Sequence, residues 1–396
     1  MTPLSPELSH VVDTIYPPAR QALAYQIASI GRPLYFVDAF VELALLYFFW
    51  RSGTAARWRS WFERKIRAPW LVAAAFTAVA LCALSIAMFP LSWYGGFVLT
   101  HQFGLSSAPF SVWLGDWAKS VLLTAVVGAL VCAGFVRLVA RTAGRWPLYA
   151  SLIAAPLILF GSAIFPVFVA PLFNHYTPLP ASPLTRAILD LAARNGIDAK
   201  VVYEYDMSRQ TNEGNAYVAG IGPVERIAIG DTLLKALKPD EVLYVVAHEM
   251  GHYKLGHLWL GSFYAWLGSI LAIALIALIV PRMLARSPNR ARDLADPAGL
   301  SIVALTVLTA SLVLAPVTNG LSSGIEHAAD VFAADHTALG GAGVRAFARL
   351  GSEDLSSLHP PDLAVWYFYD HPPLDYRVEY AAEHARGGDG HGASDP

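Results

Sequence analysis

The sequence predicts a mainly α, integral-membrane fold of about six transmembrane helices, with an inserted soluble domain that carries a small β-sheet. Three observations lead there. The 396 residues are 55% hydrophobic and only 15% charged, with a mean hydropathy of +0.45, whereas a soluble domain carries about 25% charged residues. Six stretches approach the roughly 20 apolar residues that a helix needs to cross a bilayer. Between the fourth and fifth, residues 174–257 turn polar and charged. A net charge of −2 argues against nucleic acid as a partner and leaves the lipid bilayer as the expected surrounding. Cys82 and Cys132 each sit inside an apolar run, so neither a disulfide framework nor a thiolate metal site is expected. Residues 1–33 show no basic start, apolar core and cleavage site of a removable signal.

Taken in order, residues 1–33 read as an N-terminal segment and residues 34–173 as four spans. The first span, Leu34 to Trp50, contains Asp38 and Glu42. The second starts near Trp70 in a charge-free run that lasts until Asp116, the third lies between Lys119 and Arg137, and the fourth runs from Leu148 to Phe173. Carboxylates at membrane depth are costly unless they face water or a partner. Asp38 and Glu42, four apart, therefore point either to an internal water-filled space or to an aqueous end of the span. In the inserted segment, Ser182 to Asn195 has helical periodicity, and Val201–Tyr205, Asn215–Ala219 and Glu225–Ile229 read as strands. Gly220-Ile221-Gly222-Pro223 is a hairpin turn between the last two. A helix starts at Pro239-Asp240-Glu241, with proline and acids in its first turn, and is expected to run through His257. Residues 258–322 hold the last two spans, Leu258 to Val280 and Gly299 to about Leu321. A helical segment, 323–386, follows, and the glycine-rich tail 387–396 lacks the composition to bury a core and reads as disordered.

The chemistry is concentrated in three clusters. His248-Glu249-Met250-Gly251-His252 places two imidazoles four apart on one helical face, a geometry that suits a shared zinc at about 2.0–2.1 Å. Glu249, on the adjoining face, is placed to take the proton of a metal-activated water. This makes residues 174–257 a zincin-like metalloprotease domain with one Zn²⁺ as cofactor. A hydrolytic zinc needs a third protein ligand and an open position. His257, nine residues after His248, would lie about 180° round a continuous helix and point away. The second cluster, Ser323 to Asp330, pairs Glu326 with Asp330 at a spacing of four, which suits a ligand carboxylate and a carboxylate bonding a ligand histidine's free N–H. His327 is a rival ligand, and spacing alone does not choose between it and Glu326. The third cluster is Asp370-His371-Pro372-Pro373-Leu374-Asp375-Tyr376-Arg377. Its Pro-Pro pair fixes the backbone after His371, and His371 or Arg377 near the metal can stabilise the oxyanion of a tetrahedral intermediate.

With Ala170-Pro171-Leu172-Phe173, Tyr176-Thr177-Pro178-Leu179-Pro180, Gly214-Asn215-Ala216-Tyr217 and Asp231-Thr232-Leu233-Leu234, these clusters resemble the type I CAAX prenyl protease family. That family comprises multi-spanning membrane zinc endopeptidases of the gluzincin group, and the resemblance covers roughly residues 34–380. It implies Glu326 as the third ligand, Glu249 as catalytic base, and His371 and Arg377 at the active site. It also implies that Asn215, Ala216 and Tyr217 belong to an edge strand that holds substrate extended by backbone hydrogen bonds. Eukaryotic members have seven spans around a large water-filled chamber. Six are read here, so the missing one is the first and residues 1–33 are left without a counterpart.

The function expected is that of a membrane-embedded zinc metalloendopeptidase. Its substrate is a peptide or protein, lipidated or membrane-associated, with a prenylated CAAX peptide and broader processing or quality control both allowed. The alternative is a transporter or receptor with a structural metal. A purely structural zinc closes all four positions and needs no base, so Glu249 favours the enzyme. Arg51, Arg57, Arg59, Arg64, Lys65 and Arg67 follow span one. Arg137, Arg141 and Arg145 follow span three, and Arg282, Arg286, Arg290 and Arg292 follow span five. The positive-inside rule makes that face cytoplasmic and the catalytic domain extracytoplasmic. Analogy with eukaryotic members implies a cytosolic catalytic domain instead.

Overall fold

In a bilayer an apolar run satisfies its backbone by closing hydrogen bonds within a helix, and the long helices of this chain follow from that. The computed structural model describes residues 4–219, 226–287 and 290–387. The turn expected at 220–223 and the tail from 388 lie outside the described residues. The N-terminal half contains α1 (Pro6–Ile15), α2 (Pro18–Arg51), α3 (Thr54–Glu63) and α4 (Pro69–Trp93), which passes through a π-helical turn into α5 (Thr100–Gln102). Then come α6 (Phe110–Thr142) and α7 (Trp146–Ile164), the latter prolonged by a π-helical turn, Phe165–Val169. The soluble segment holds β1 (Tyr176–Pro178), α8 (Pro183–Arg194), β2 (Val202–Tyr205), β3 (Ala216–Ala219), β4 (Arg226–Gly230), α9 (Asp231–Ala236) and α10 (Pro239–Lys254). The chain closes with α11 (His257–Ala285), α12 (Leu300–Thr337), α13 (Gly340–Glu353), α14 (Asp362–Phe368) and α15 (Leu374–Gly387). Among the described residues, six helical stretches are long and apolar enough to cross a membrane: Pro18–Arg51, Pro69–Gln102, Phe110–Thr142, Trp146–Leu172, His257–Ala285 and Pro297–Thr337.

Two expected boundaries move. The helix that carries the first span starts at Pro18 rather than at residue 34, and its early turns dock on the soluble part. Arg20 Nε donates to the Ser352 carbonyl at 2.9 Å and Tyr25 Oη to that of His359 at 3.0 Å. Further along α2, Val37, Phe40 and Val41 are exposed while Asp38 and Glu42 are half-buried. The two carboxylates thus lie within a continuous helix, on its half-buried side. The sixth span and the expected ligand segment are also one element, since α12 continues unbroken for 38 residues through Glu326 and Asp330.

The sheet order is β1-β2-β4-β3, with β1/β2 antiparallel, β2/β4 parallel and β3/β4 antiparallel. β3 therefore lies at an edge. Ile227 and Ile229 of β4 are fully buried in the core that also takes Ile188, Val242, Val246 and Met250. A second core gathers Trp50, Phe62, Trp146, Ala291 and Leu294, one or more from each basic loop. Arg292 binds Glu63 with both terminal nitrogens at 2.8 and 3.0 Å, and Arg59 pairs with Asp296. The three basic loops thus share one face. Glu326 lies 26 residues beyond Leu300 on α12, about 39 Å away at 1.5 Å per residue.

Candidate active site

The helix α10 is fixed before its histidines are reached. Pro239 occupies its first turn, and the fully buried Glu241 accepts from the Lys238 N–H at 3.0 Å. Arg349 and Arg345 of α13 hold that carboxylate at 3.0 and 3.4 Å. Gly343 of α13 sits against the ring of Tyr244, where a Cβ would come within 2.5 Å of Cζ. On the other side Gly251 lets α12 close in, since a Cβ there would meet Phe332 Cβ at 3.0 Å and Ala329 Cα at 3.2 Å. This close crossing carries Glu326 to the two histidines.

The donor atoms converge. His248 Nε2 lies 3.1 Å from Glu326 Oε2 and 3.1 Å from His252 Nε2, and His252 Nε2 is 3.5 Å from Glu326 Oε2. Such a group can hold a metal ion. Asp330 Oδ1 lies 2.8 Å from His248 Nδ1, to one side of the ring N–H direction. Arg377 grips Asp330 with two parallel bonds, Nε to Oδ2 at 2.9 Å and Nη2 to Oδ1 at 2.7 Å, its guanidinium 4.2 Å from the centre of the Phe347 ring. His371 Nε2 is 3.2 Å from Glu326 Oε2, and its Nδ1 is 2.9 Å from Asp370 Oδ1. Burial alone would lower the pKa of His248, but Asp330 and Glu326 outweigh it and raise it to about 9. Burial opposes His371 in the same way, and Asp370 and Glu326 raise it to about 9. The site favours positive charge. Burial pushes the Glu249 carboxyl up, against the pull of His248 and His252. Glu249 lines a cavity of about 610 Å³ together with His248, Asp370, His371 and Arg377.

Several expected residues fall elsewhere than the sequence placed them. The α10 helix does not run through His257: it ends at Lys254, and Gly256, at φ 68°, starts α11 in a new direction. His257 thereby swings back, its Nδ1 2.9 Å from His252 Nδ1. A left-handed glycine interrupts the helical wheel, and Leu255-Gly256 is the sequence signal for that break. His327, the rival ligand, turns toward Tyr376 and Tyr380, with ring centres at 5.5 and 5.1 Å. Arg377 commits two of its five N–H groups, one on Nε and one on Nη2, to Asp330.

Beside this group runs the edge strand. The Asn215 carbonyl accepts from the Gly230 N–H at 2.8 Å, and Ala216 and Tyr217 continue as β3. A second cavity, of about 600 Å³, is lined by Tyr217, Val218, Ala219 and His252 and by Phe165 and Trp259 at the ends of membrane helices. The first cavity touches Gly214, Asn215 and Ala216. Successive strand residues face opposite sides, so three in a row along each cavity mean that both follow the strand's edge.

Comparison with known proteins gives the family. Residues 178–385 match the profile of peptidase family M48, and residues 19–175 match that of the CAAX prenyl protease N-terminal region, described as five membrane helices. The chain belongs to peptidase family M48. Within M48 it is similar to the uncharacterized metalloprotease YhfN of Bacillus subtilis (strain 168), 30% identical over 366 residues, 92% of this chain and 86% of that protein. It is also similar to a CAAX prenyl protease 1 homolog of Arabidopsis thaliana, 29% identical over 359 residues, covering 87% and 82%. Its fold matches the crystal structure of S. mikatae Ste24p with a TM-score of 0.79 at 21% identity, covering 94% and 93%. This M48 chain is thus a multi-pass integral-membrane metalloprotease. The N-terminal match begins at residue 19, so part of the segment left without a counterpart does have one. Four of the six candidate spans lie in that matched region, against five in the profile's description.

Proposed function

We propose that the protein is a zinc endopeptidase whose metal is held by His248, His252 and Glu326. The observation that carries this is the spacing of the three donor atoms, 3.1, 3.1 and 3.5 Å. Ligands about 2.0–2.1 Å from a tetrahedral zinc lie about 3.3 Å apart, so the residues fit the ion. Bound there, zinc supplies Lewis-acid polarisation of a peptide carbonyl and of a water.

The chain's own groups do the rest. Glu249 takes the proton of the attacking water and returns it to the leaving nitrogen. His371 donates from Nε2 to the carbonyl oxygen as it gains charge. Asp330 holds His248 through Nδ1, and Arg377 holds Asp330, so Arg377 serves through its neighbour and not by touching substrate. Asn215, Ala216 and Tyr217 receive an extended peptide by backbone pairing, which runs from one cavity past the metal position to the other. The wall of Phe165 and Trp259 suits a substrate that is lipidated or membrane-associated, in keeping with relatives named CAAX prenyl proteases. The charge of the shared basic face supports a cytoplasmic position for that face and an active site on the opposite side. The test is hydrolysis of a peptide library by purified protein before and after metal removal. Cleavage lost on chelation and restored by zinc is expected; cleavage indifferent to chelation contradicts the reading.

A further inference from the structure

The two histidines of the ligand group are supported differently. His248 has behind it a carboxylate gripped by an arginine. His252 has behind it only another imidazole: His252 Nδ1 and His257 Nδ1 are 2.9 Å apart, with ring centres 5.0 Å apart and planes at 72°. We infer that His257 is a positioning residue for the metal, accepting the Nδ1 proton of His252 so that the Nε2 lone pair of His252 faces the ion. This rests on the ligand set proposed above.

The argument is one of proton counting. His252 Nε2 is the ring atom within 3.1 Å of His248 Nε2 and 3.5 Å of Glu326 Oε2, so it is the ligating nitrogen. A ligating nitrogen carries no proton, and the proton of a neutral imidazole must then sit on the other nitrogen. At 2.9 Å that N–H needs an acceptor, and the atom there is His257 Nδ1. His257 must therefore keep its own proton on Nε2 and present Nδ1 as a lone pair. A partner of this kind orients the ring and raises the basicity of its ligating nitrogen. The supply of that acceptor depends on Gly256, whose φ of 68° returns the chain toward α10, and on His257 being the first residue of the membrane helix α11. The start of a membrane span is thereby tied to one metal ligand.

The test compares His257→Asn, whose amide oxygen can occupy the place of Nδ1, with His257→Leu, which keeps bulk and loses the acceptor. Zinc affinity of the metal-stripped full-length protein is measured by competition with a chromophoric chelator, beside the melting temperature of the metal-free form. His257→Leu is expected to bind zinc about 10–100-fold more weakly and His257→Asn to stay within about threefold of wild type, with metal-free melting temperatures alike. Wild-type affinity in His257→Leu, or equal losses in both variants, overturns the inference alone. A wild type that binds no zinc, or a His252→Ala variant that binds it undiminished, overturns the ligand set and this inference with it.

Discussion

At the residue scale, the groups proposed to hold the ion differ from the groups that hold them in place. Glu326→Ala removes the proposed third ligand, so zinc content measured by mass spectrometry should collapse, while His327→Ala, whose ring faces two tyrosines, should leave it unchanged. His371 and Arg377 share one sequence cluster but should fail in different ways. His371→Ala removes a donor that matters only as the oxyanion forms, so kcat should fall by about 10²–10³ with zinc retained. Arg377→Ala leaves Asp330, whose side chain is 2% exposed, as a buried charge without its partner, and should cost about 3–5 kcal/mol of stability. Equal melting temperatures for the two variants would contradict that division. The clusters themselves were legible because their spacing is helical or proline-fixed. What Arg377 does was not legible, since only the fold shows that it reaches Asp330 before it reaches anything else.

Among the elements, α10 and α13 are packed through a missing side chain. In Gly343→Ala the new Cβ would fall 2.5–2.8 Å from ring atoms of the fully buried Tyr244. Overpacking of this kind costs about 1–3 kcal/mol, to be seen as a lower melting temperature. A second prediction concerns the approach to the edge strand. Asp354 Oδ1 accepts from the Gly214 N–H at 3.0 Å, just before β3. Burial first, then the charges of Glu213 and Glu353, raises its pKa to about 7 in spite of that bond. Because the folded value lies above the unfolded one, its contribution is full below the ordinary carboxylate range and is lost as pH rises through about 7. Melting temperature followed from about pH 5 to about pH 8 should fall more in wild type than in Asp354→Asn, which keeps the acceptor and cannot ionise. Parallel curves would remove Asp354 from the pH dependence. Element type was readable wherever apolar runs or helical periodicity were long. The starts and ends were not, because α2 and α12 carry polar turns past the bilayer without breaking, and β1 has only three residues, the last a proline.

For the molecule as a whole, the paired basic loops and the ligand cluster lie at opposite ends of α12. With Cys82 and Cys132 replaced, single cysteines at the exposed positions of Arg57 and Ala181 can be probed on intact cells with an impermeant thiol reagent. Labelling at 181 and not at 57 is expected, and the reverse would place the active site in the cytoplasm. Six spans were countable from hydropathy alone. That all three basic loops pack into one core was not, because Trp50, Trp146 and Leu294 lie far apart in sequence. In the proposed mechanism Glu249 moves the proton while His248, His252 and Glu326 hold zinc, and a paired measurement on Glu249→Gln separates the two roles. Zinc stoichiometry should equal that of wild type while peptide hydrolysis is abolished. Hydrolysis at the wild-type rate by the zinc-loaded variant would contradict it.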